Sequence, residues 1–270
     1  MIAAATIVAR NYIPQARVVA QSFRRHHPDI PFFVLLVDRS RDAIADATRI
    51  ALPEVFTPPR RYSIKQTAVA AKPFLLQWLL AHGFDRCLFL DPDVLVLSRF
   101  DALLERIGQH SVVVTPHFVT PPRDEQRIAR ELNILLSGVF NGGLIGIADR
   151  QPAREFLKWW GERVIEACDS EVARGLYYDQ RWLDLAPVFF RDISVLRDAA
   201  YNVAYWNLPE RELRVEGDSV TVDGRACAFI HFSGFDPARP QQMTRYAPQT
   251  TISNAMFARY AALLREAGAR

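Results

Sequence analysis

Uninterrupted apolar runs alternate with stretches of helical period through the first half of the chain. "AATIVA" (4–9) predicts a first strand. "IPQARVVAQSFRRHH" predicts a helix with Pro14 in its opening turn, where a backbone N–H is spare. "PFFVLLVD" (31–38) predicts a second strand, and Asp42 to Leu52 a short helix. Ser63 opens a further helix, with Gln66 completing a capping box. Pro73 kinks or restarts that helix and Gly83 ends it. "CLFL" (87–90), "SVVVTP" (111–116) and the "VFNGGLIGIA" run predict three more strands. A polar, proline-rich stretch, "FVTPPRDEQR" (118–127), leads into a helix over Glu125–Leu135.

The later pattern predicts a long helix over 152–167 and a helix near Gln180–Leu185. A hairpin in "LRVEGDSVTVDGRACAFIHF" turns at Asp223-Gly224, and a terminal helix covers 251–267. The β-α-β-α opening predicts an α/β fold with a mixed, mostly parallel central sheet and helices on both faces. The unbroken Val, Ile, Leu and Phe runs suit strands buried on both sides. With no repeat or linker, the 270 residues predict one domain.

Half of the residues are apolar, enough for one large core. The formal net charge is +3 and the basic residues are interleaved with acids, so no nucleic-acid partner is expected. Arg24-Arg25 with His26-His27, and Arg60-Arg61, read as solvated faces. Cys87, Cys168 and Cys227 lie far apart without CxxC spacing and read as buried thiols in a reducing compartment. "MIAAATIVARNYIP" has no basic region before its apolar run and reads as a strand, not a signal peptide. No segment approaches the roughly 18 apolar residues of a membrane span. The expectation is a soluble, cytoplasmic protein.

Candidate chemistry begins at "RCLFLDPDVLVL", where Asp91 and Asp93 stand at the carboxyl end of a predicted strand. In α/β sheets ligands bind beyond that end. Two carboxylates about 4 Å apart repel by roughly 4 kcal/mol at an effective dielectric near 20. Solvent, a cationic side chain, a shared proton or a divalent cation offsets that cost; hard oxygen ligands suit Mg²⁺ or Mn²⁺. Alone, the pair also reads as a polar strand-end turn. "FIHFSGF" adds His231, whose neutral imidazole can complete an oxygen-rich metal site, and Gly234, which lets backbone approach a phosphate. Asn141 and Gly142 sit beside a strand in "FNGGLIGI". Asp179 and Gln180 precede an apolar helical pattern in "YYDQRWLDL", where an N-cap is the plainer reading.

The order "LDPD", "FNGGLIGI", "DQRWLDL", "YNVAYWNL", "HFSG" resembles nucleotide-sugar glycosyltransferases of the GT-A fold. Within these it is most similar to the family-eight retaining enzymes, which include glycogenin-like and bacterial lipopolysaccharide galactosyl- and glucosyltransferases. The resemblance implies a metal-dependent hexosyltransferase using a UDP-sugar. Asp91, Asp93 and His231 would hold Mn²⁺ or Mg²⁺, with Asp91 also near the donor. Ala9, Asn11 and Tyr12 would cradle the base, and Lys72 would stand near the phosphates. Asn141 and Gly142 would meet the donor sugar, and Asp179 and Gln180 would flank its anomeric carbon. The family's late lysine is replaced by Pro237; Arg239, or Arg245, would supply that charge. The nucleotide part would span about 1–117 and the sugar and acceptor part about 118–270.

The acceptor would be a glycan or a lipid-linked saccharide. Tyr205 and Trp206 read either as a stacking surface for it or as core aromatics. "FLKWW" in the 152–167 helix reads as a core-facing stripe, with peripheral membrane contact as the alternative. A sugar-phosphate nucleotidyltransferase usually has a glycine-rich loop after its first strand, which "VARNYIPQAR" lacks. A non-catalytic nucleotide-sugar-binding module is the remaining rival.

Overall fold

The structure, a computed structural model, describes residues 1–38, 40, 42–236 and 251–269, the last segment's residues 251–253 by backbone only. Arg239, Arg245 and Pro237 lie outside the described residues.

The chain opens with β1 (Ile2–Val8), α1 (Ile13–His26) and β2 (Phe32–Leu36). β3 (Thr48–Ala51) and α2 (Leu52–Val55) follow, then α3 (Ile64–Ala70) and α4 (Lys72–Ala81). Next come β4 (Arg86–Leu90), β5 (Val94–Val96), α5 (Asp101–Gln109) and β6 (Val112–Pro116). The second half holds α6 (Arg127–Ser137), β7 (Phe140–Ala148), α7 (Gln151–Glu166), α8 (Ala186–Phe189) and β8 (Ile193–Val195). Last are β9 (Leu213–Glu216), β10 (Ser219–Val222), β11 (Arg225–Ala226), β12 (Phe229–His231) and α9 (Thr251–Glu266).

Seven strands form the central sheet in the order β3-β2-β1-β4-β7-β6-β8. All neighbours are parallel except those of β7, which runs antiparallel to both β4 and β6. The period of two assigns each strand's side chains to two cores. Ala3, Ala5 and Ile7 of β1, with Cys87 and Phe89 of β4, face α4 and α7. Ala4 and Val8, with Leu88 and Leu90, face α1 and α5. The predicted doubly covered sheet is therefore present, with β7 as its antiparallel member.

Three local expectations are corrected. Residues 42–52 do not form a helix: β3 occupies their end and pairs with β2, Leu35 opposite Ile50, which buries Ile50 at the sheet edge. Pro53 then sits in the first turn of α2, where its missing N–H is harmless. The predicted helix near 180–185 is a 3-10 turn, Arg181–Leu185. The late hairpin is a three-stranded meander: Asp223-Gly224 turns β10 into β11, both residues with positive φ. The run's end leaves that meander, and β12 pairs antiparallel with β5, His231 opposite Val94.

Elsewhere the local signals hold. Ser63 and Gln66 close the capping box of α3, and Gly83, φ +89°, terminates α4. Phe156, Leu157 and Trp160 of α7 are buried in the core, so "FLKWW" is mainly a packing stripe. The three cysteines are free and buried. Among the described residues no helix is long and apolar enough to cross a membrane.

His27 lies in the second core against Phe23 and Phe100, with ring centroids 4.7 and 5.1 Å away. Its Nε2 accepts a hydrogen bond from the Phe100 N–H, which requires the neutral ring. Burial, reinforced by Arg99 and His26, pushes its pKa down to about 4. Below the unfolded value of 6.5 the unfolded chain binds this proton first, so stability falls from there down to about pH 4. We expect the melting-temperature advantage of the parent over His27→Gln to be smaller at pH 4.5 than at pH 7. An advantage that is unchanged or larger at the lower pH would show that burial does not lower the His27 pKa.

Candidate active site

The strand order reverses direction between β1 and β4, and a crevice opens beyond their carboxyl ends, as expected at a switch point. It is a cavity of about 640 Å³. Ala9, Asn11 and Tyr12 enter it after β1, and Asp91, Pro92 and Asp93 after β4. Lys72, from the start of α4, forms part of its inner wall. Five predicted donor residues thus line one cavity.

Asp91 and Asp93 occupy a turn between β4 and β5, not an extended segment. The turn still aims both carboxylates at one point, because β5 pairs with β12 and brings His231 opposite. His231 Nε2 lies 3.1 Å from Asp93 Oδ1 and 3.8 Å from Asp91 Oδ2. One ligand atom from each of the three lies within 4.8 Å of the others. The other ring nitrogen, Nδ1, faces Asn202 Oδ1 at 3.0 Å. That contact makes Nδ1 the donor and leaves Nε2 for the carboxylates or a cation, the usual outer support of a histidine ligand. The donor set of two carboxylates and one imidazole fits Mn²⁺ or Mg²⁺.

Burial opposes charge on both Asp93 and His231, but their mutual attraction wins. Asp93 is held below the usual carboxylate range and His231 above the usual imidazole range. Burial, then the charges of Asp93 and Asp91, raise the Tyr12 phenol, consistent with its place at the cavity wall.

Lys72 is buried and reaches three oxygens. Its Nζ lies 3.3 Å from Asp91 Oδ1, 3.0 Å from Asp179 Oδ2 and 3.0 Å from the Gly142 carbonyl. Burial would lower the Lys72 pKa, but the two carboxylates raise it above the ordinary lysine value. Asp179, also buried, is raised by burial more than Lys72 lowers it. Its backbone is fixed from the core, where Trp160 Nε1 donates to its carbonyl at 3.0 Å.

Gln180 closes the other side. Its Oε1 accepts from Gly142 N at 3.0 Å and from Asn141 Nδ2 at 3.3 Å, while its Nε2 donates to the Ser137 carbonyl at 2.8 Å. The amide therefore has one orientation. Asn141 Nδ2 also approaches His117 Nε2 at 3.3 Å, and Asn141 Oδ1 accepts from Gly143 N at 3.0 Å. Burial pushes His117 down to about 4, so its imidazole is neutral.

These contacts depend on a break in pairing. β6 matches Val114 with Ile145 but Thr115 with Asn141, so residues 142–144 bulge out of that ladder. Gly142 and Gly143 line the bulge. A Cβ on Gly143 would stand 2.5 Å from His231 Cε1, 2.7 Å from Asn141 Oδ1 and 2.9 Å from Asp91 Oδ2. No side chain fits there.

A second cavity, of about 360 Å³, opens beyond Gln180 and Asn141. Tyr205 and Trp206 line it, Trp206 also meeting the rings of His117 and His231 edge-on at 5.3 Å. Trp206 is thus a buried aromatic that also lines a cavity. Gly234, φ +70°, turns the chain just after His231, and its Cβ position is open.

Three site residues were not singled out from sequence. Asn202, left-handed at φ 53°, orients His231, and its unusual backbone is invisible before folding. Gly143, not Gly142, carries the tightest contact. His117 is signalled only as a lone strand-end histidine.

Two substitutions probe this construction. Lys72→Met leaves buried Asp179 unpaired and should cost about 3–5 kcal/mol in urea unfolding. Adding Asp179→Asn should recover most of that loss; no recovery would mean that the lysine acts through other contacts. Gly143→Ala should lose about 1–3 kcal/mol and separate His231 from Asp91. A variant as stable as the parent would contradict the close approach.

No family model matches the chain. Two proteins of Bacillus subtilis (strain 168) are similar over most of it. The uncharacterized protein YfnF is 24% identical over 244 residues, 85% of this chain and 80% of its own. The uncharacterized protein YfnD is 25% identical over 245 residues, 85% and 76% respectively. Among solved structures, the galactosyltransferase LgtC in complex with donor and acceptor sugar analogues aligns with a TM-score of 0.60 at 18% identity, over 98% of this chain and 96% of that one. The apo form of the glycosyltransferase GlyE of Streptococcus pneumoniae TIGR4 aligns at 0.57 and 15% identity, over 98% and 62%. Strand order, crevice and these alignments together give the chain the GT-A fold of glycosyltransferases, as its motif order implies.

Proposed function

We propose that the chain is a divalent-metal-dependent glycosyltransferase that moves a hexose from a UDP-sugar to a glycan or glycolipid hydroxyl, with retention of configuration. The observation that carries this reading is the convergence of Asp91, Asp93 and His231 at the mouth of the crevice lined by Ala9, Asn11 and Tyr12. Three carboxylates (Asp91, Asp93 and Asp179) face one lysine and one histidine there, an excess of negative charge that a divalent cation relieves. Bound at these ligands, Mn²⁺ or Mg²⁺ supplies positive charge to the leaving diphosphate.

The chain's own groups do the remainder. The base and ribose lie along the loop after β1. Lys72 anchors Asp91 and keeps a cation beneath the phosphates. Arg239, outside the described residues, is proposed as a further phosphate ligand. Asn141 and Gly142 hold the donor sugar between the two cavities. Gln180 Oε1, fixed by two donors, supports positive charge as the anomeric carbon becomes oxocarbenium-like. Asp179 is committed to Lys72, so it orients the sugar and is not a free nucleophile. Retention then follows from acceptor attack on the face that the diphosphate leaves. The 640 Å³ cavity draws its lining from residues 7–93 and the 360 Å³ cavity from residues 117–233. This supports a nucleotide half over about 1–117 and a sugar and acceptor half over about 118–270.

The test is a panel of nucleotide sugars with and without Mn²⁺, read by thermal shift and by slow donor hydrolysis. One UDP-sugar with Mn²⁺ should raise the melting temperature by roughly 5 °C at a hundredfold excess over Kd. Asp93→Ala and His231→Ala should abolish the metal-dependent part. Unchanged binding in both variants would remove the metal site, and binding without hydrolysis or transfer would leave only a binding module.

A further inference from the structure

α6 is turned against the usual amphipathic rule. Ile128, Leu132, Leu135 and Leu136, on one face, are exposed, while Arg130 on the other is buried. Arg130 lines the 360 Å³ cavity, and among the described residues it is the only side chain there that carries full charge. No acid among the described residues lines that cavity, and its histidine, His117, is neutral.

The guanidinium is incompletely matched. Asp124 meets Nε, with Oδ1 at 3.2 Å and Oδ2 at 2.9 Å. Asp124 Oδ1 also accepts from Gln126 N at 2.8 Å, and the carboxylate is about a third exposed. Nη1 is buried and has no partner among the described residues. A buried charged donor left unpaired is costly, and guanidinium pairs best with planar carboxylate or with phosphate oxygens.

We infer that the acceptor carries an anionic group, a carboxylate or a phosphate, on the sugar that enters this cavity, and that Arg130 selects it. The inference rests on the glycosyltransferase reading only in naming the occupant as the acceptor. Arg130 is the specificity-determining residue; Gln180 and Asn141 at the cavity floor address the hydroxyl side. The competing role is structural, with Arg130 tying α6 to Asp124 and no ligand involved.

The two roles separate by calorimetric titration of the full chain with methyl β-glucoside, methyl β-glucuronide and glucose 6-phosphate. At least one anionic probe should bind about tenfold or more tightly than the glucoside. Preference for the glucuronide alone identifies a sugar acid, and preference for the phosphate alone a phosphorylated sugar. Arg130→Gln should bind all three equally, and Arg130→Lys should keep part of the preference. Asp124→Asn, which frees the guanidinium, should strengthen anion binding; a purely structural pair would only lower the melting temperature. If Arg130→Gln does not fold, Arg130→Lys and Asp124→Asn carry the test. Equal binding of all probes by the parent, or a preference that survives in Arg130→Gln, would overturn the proposal. UDP-sugar hydrolysis without acceptor is followed in parallel, so a failed donor reading is distinguished from a failed acceptor assignment.

Discussion

The site is organised by one close approach, the packing of the β7 backbone at Gly143 against both Asp91 and His231. Asp91 N donates to the Gly143 carbonyl at 2.9 Å, joining the end of β4 to the bulge in β7. Space for that contact exists only because position 143 has no Cβ. The same bulge frees Gly142 from the β6 ladder beside Asn141, and both donate to Gln180 Oε1. An antiparallel strand at the centre of a parallel sheet thus brings residues from opposite halves of the chain to one point.

Charge is arranged around that point in two linked layers. The inner layer is closed: Lys72 neutralises Asp179 and part of Asp91, with the Gly142 carbonyl as its third acceptor. The outer layer is open, since among the described residues Asp93 and the remainder of Asp91 pair only with His231. A buried ion pair is weak as a source of stability but expensive to break, so the inner layer fixes geometry. The outer layer leaves negative charge directed at the crevice, which is the feature that the proposed cation would relieve.

The two cavities draw their linings from different halves of the chain. The crevice after β1 and β4 is large and partly apolar, suited to a base and ribose. The smaller cavity is polar at its floor, aromatic on one wall and carries Arg130 on another. The Asn141–Gln180 contact forms part of the smaller cavity's lining, and the proposed function places the reacting carbon beside it.

Much of the fold was legible from local pattern. Strand runs, the Ser63–Gln66 capping box, the Pro73 restart and the Asp-Gly turn are short-range effects that neighbouring residues settle by themselves. The motif order also marked Asp91, Asp93, Asn141, Asp179, Gln180 and His231, because those residue types suit metal and sugar chemistry. Local pattern failed where pairing decided the outcome: residues 48–51 become a strand because β2 offers an edge, and "AFIHF" leaves its meander because β5 offers a partner. Asn202 behind His231, the packing limit at Gly143 and the burial of Arg130 on a helix with exposed leucines belong to the tertiary structure alone. Each depends on contact between segments distant in sequence, and no periodicity within one segment encodes what another segment will bring against it.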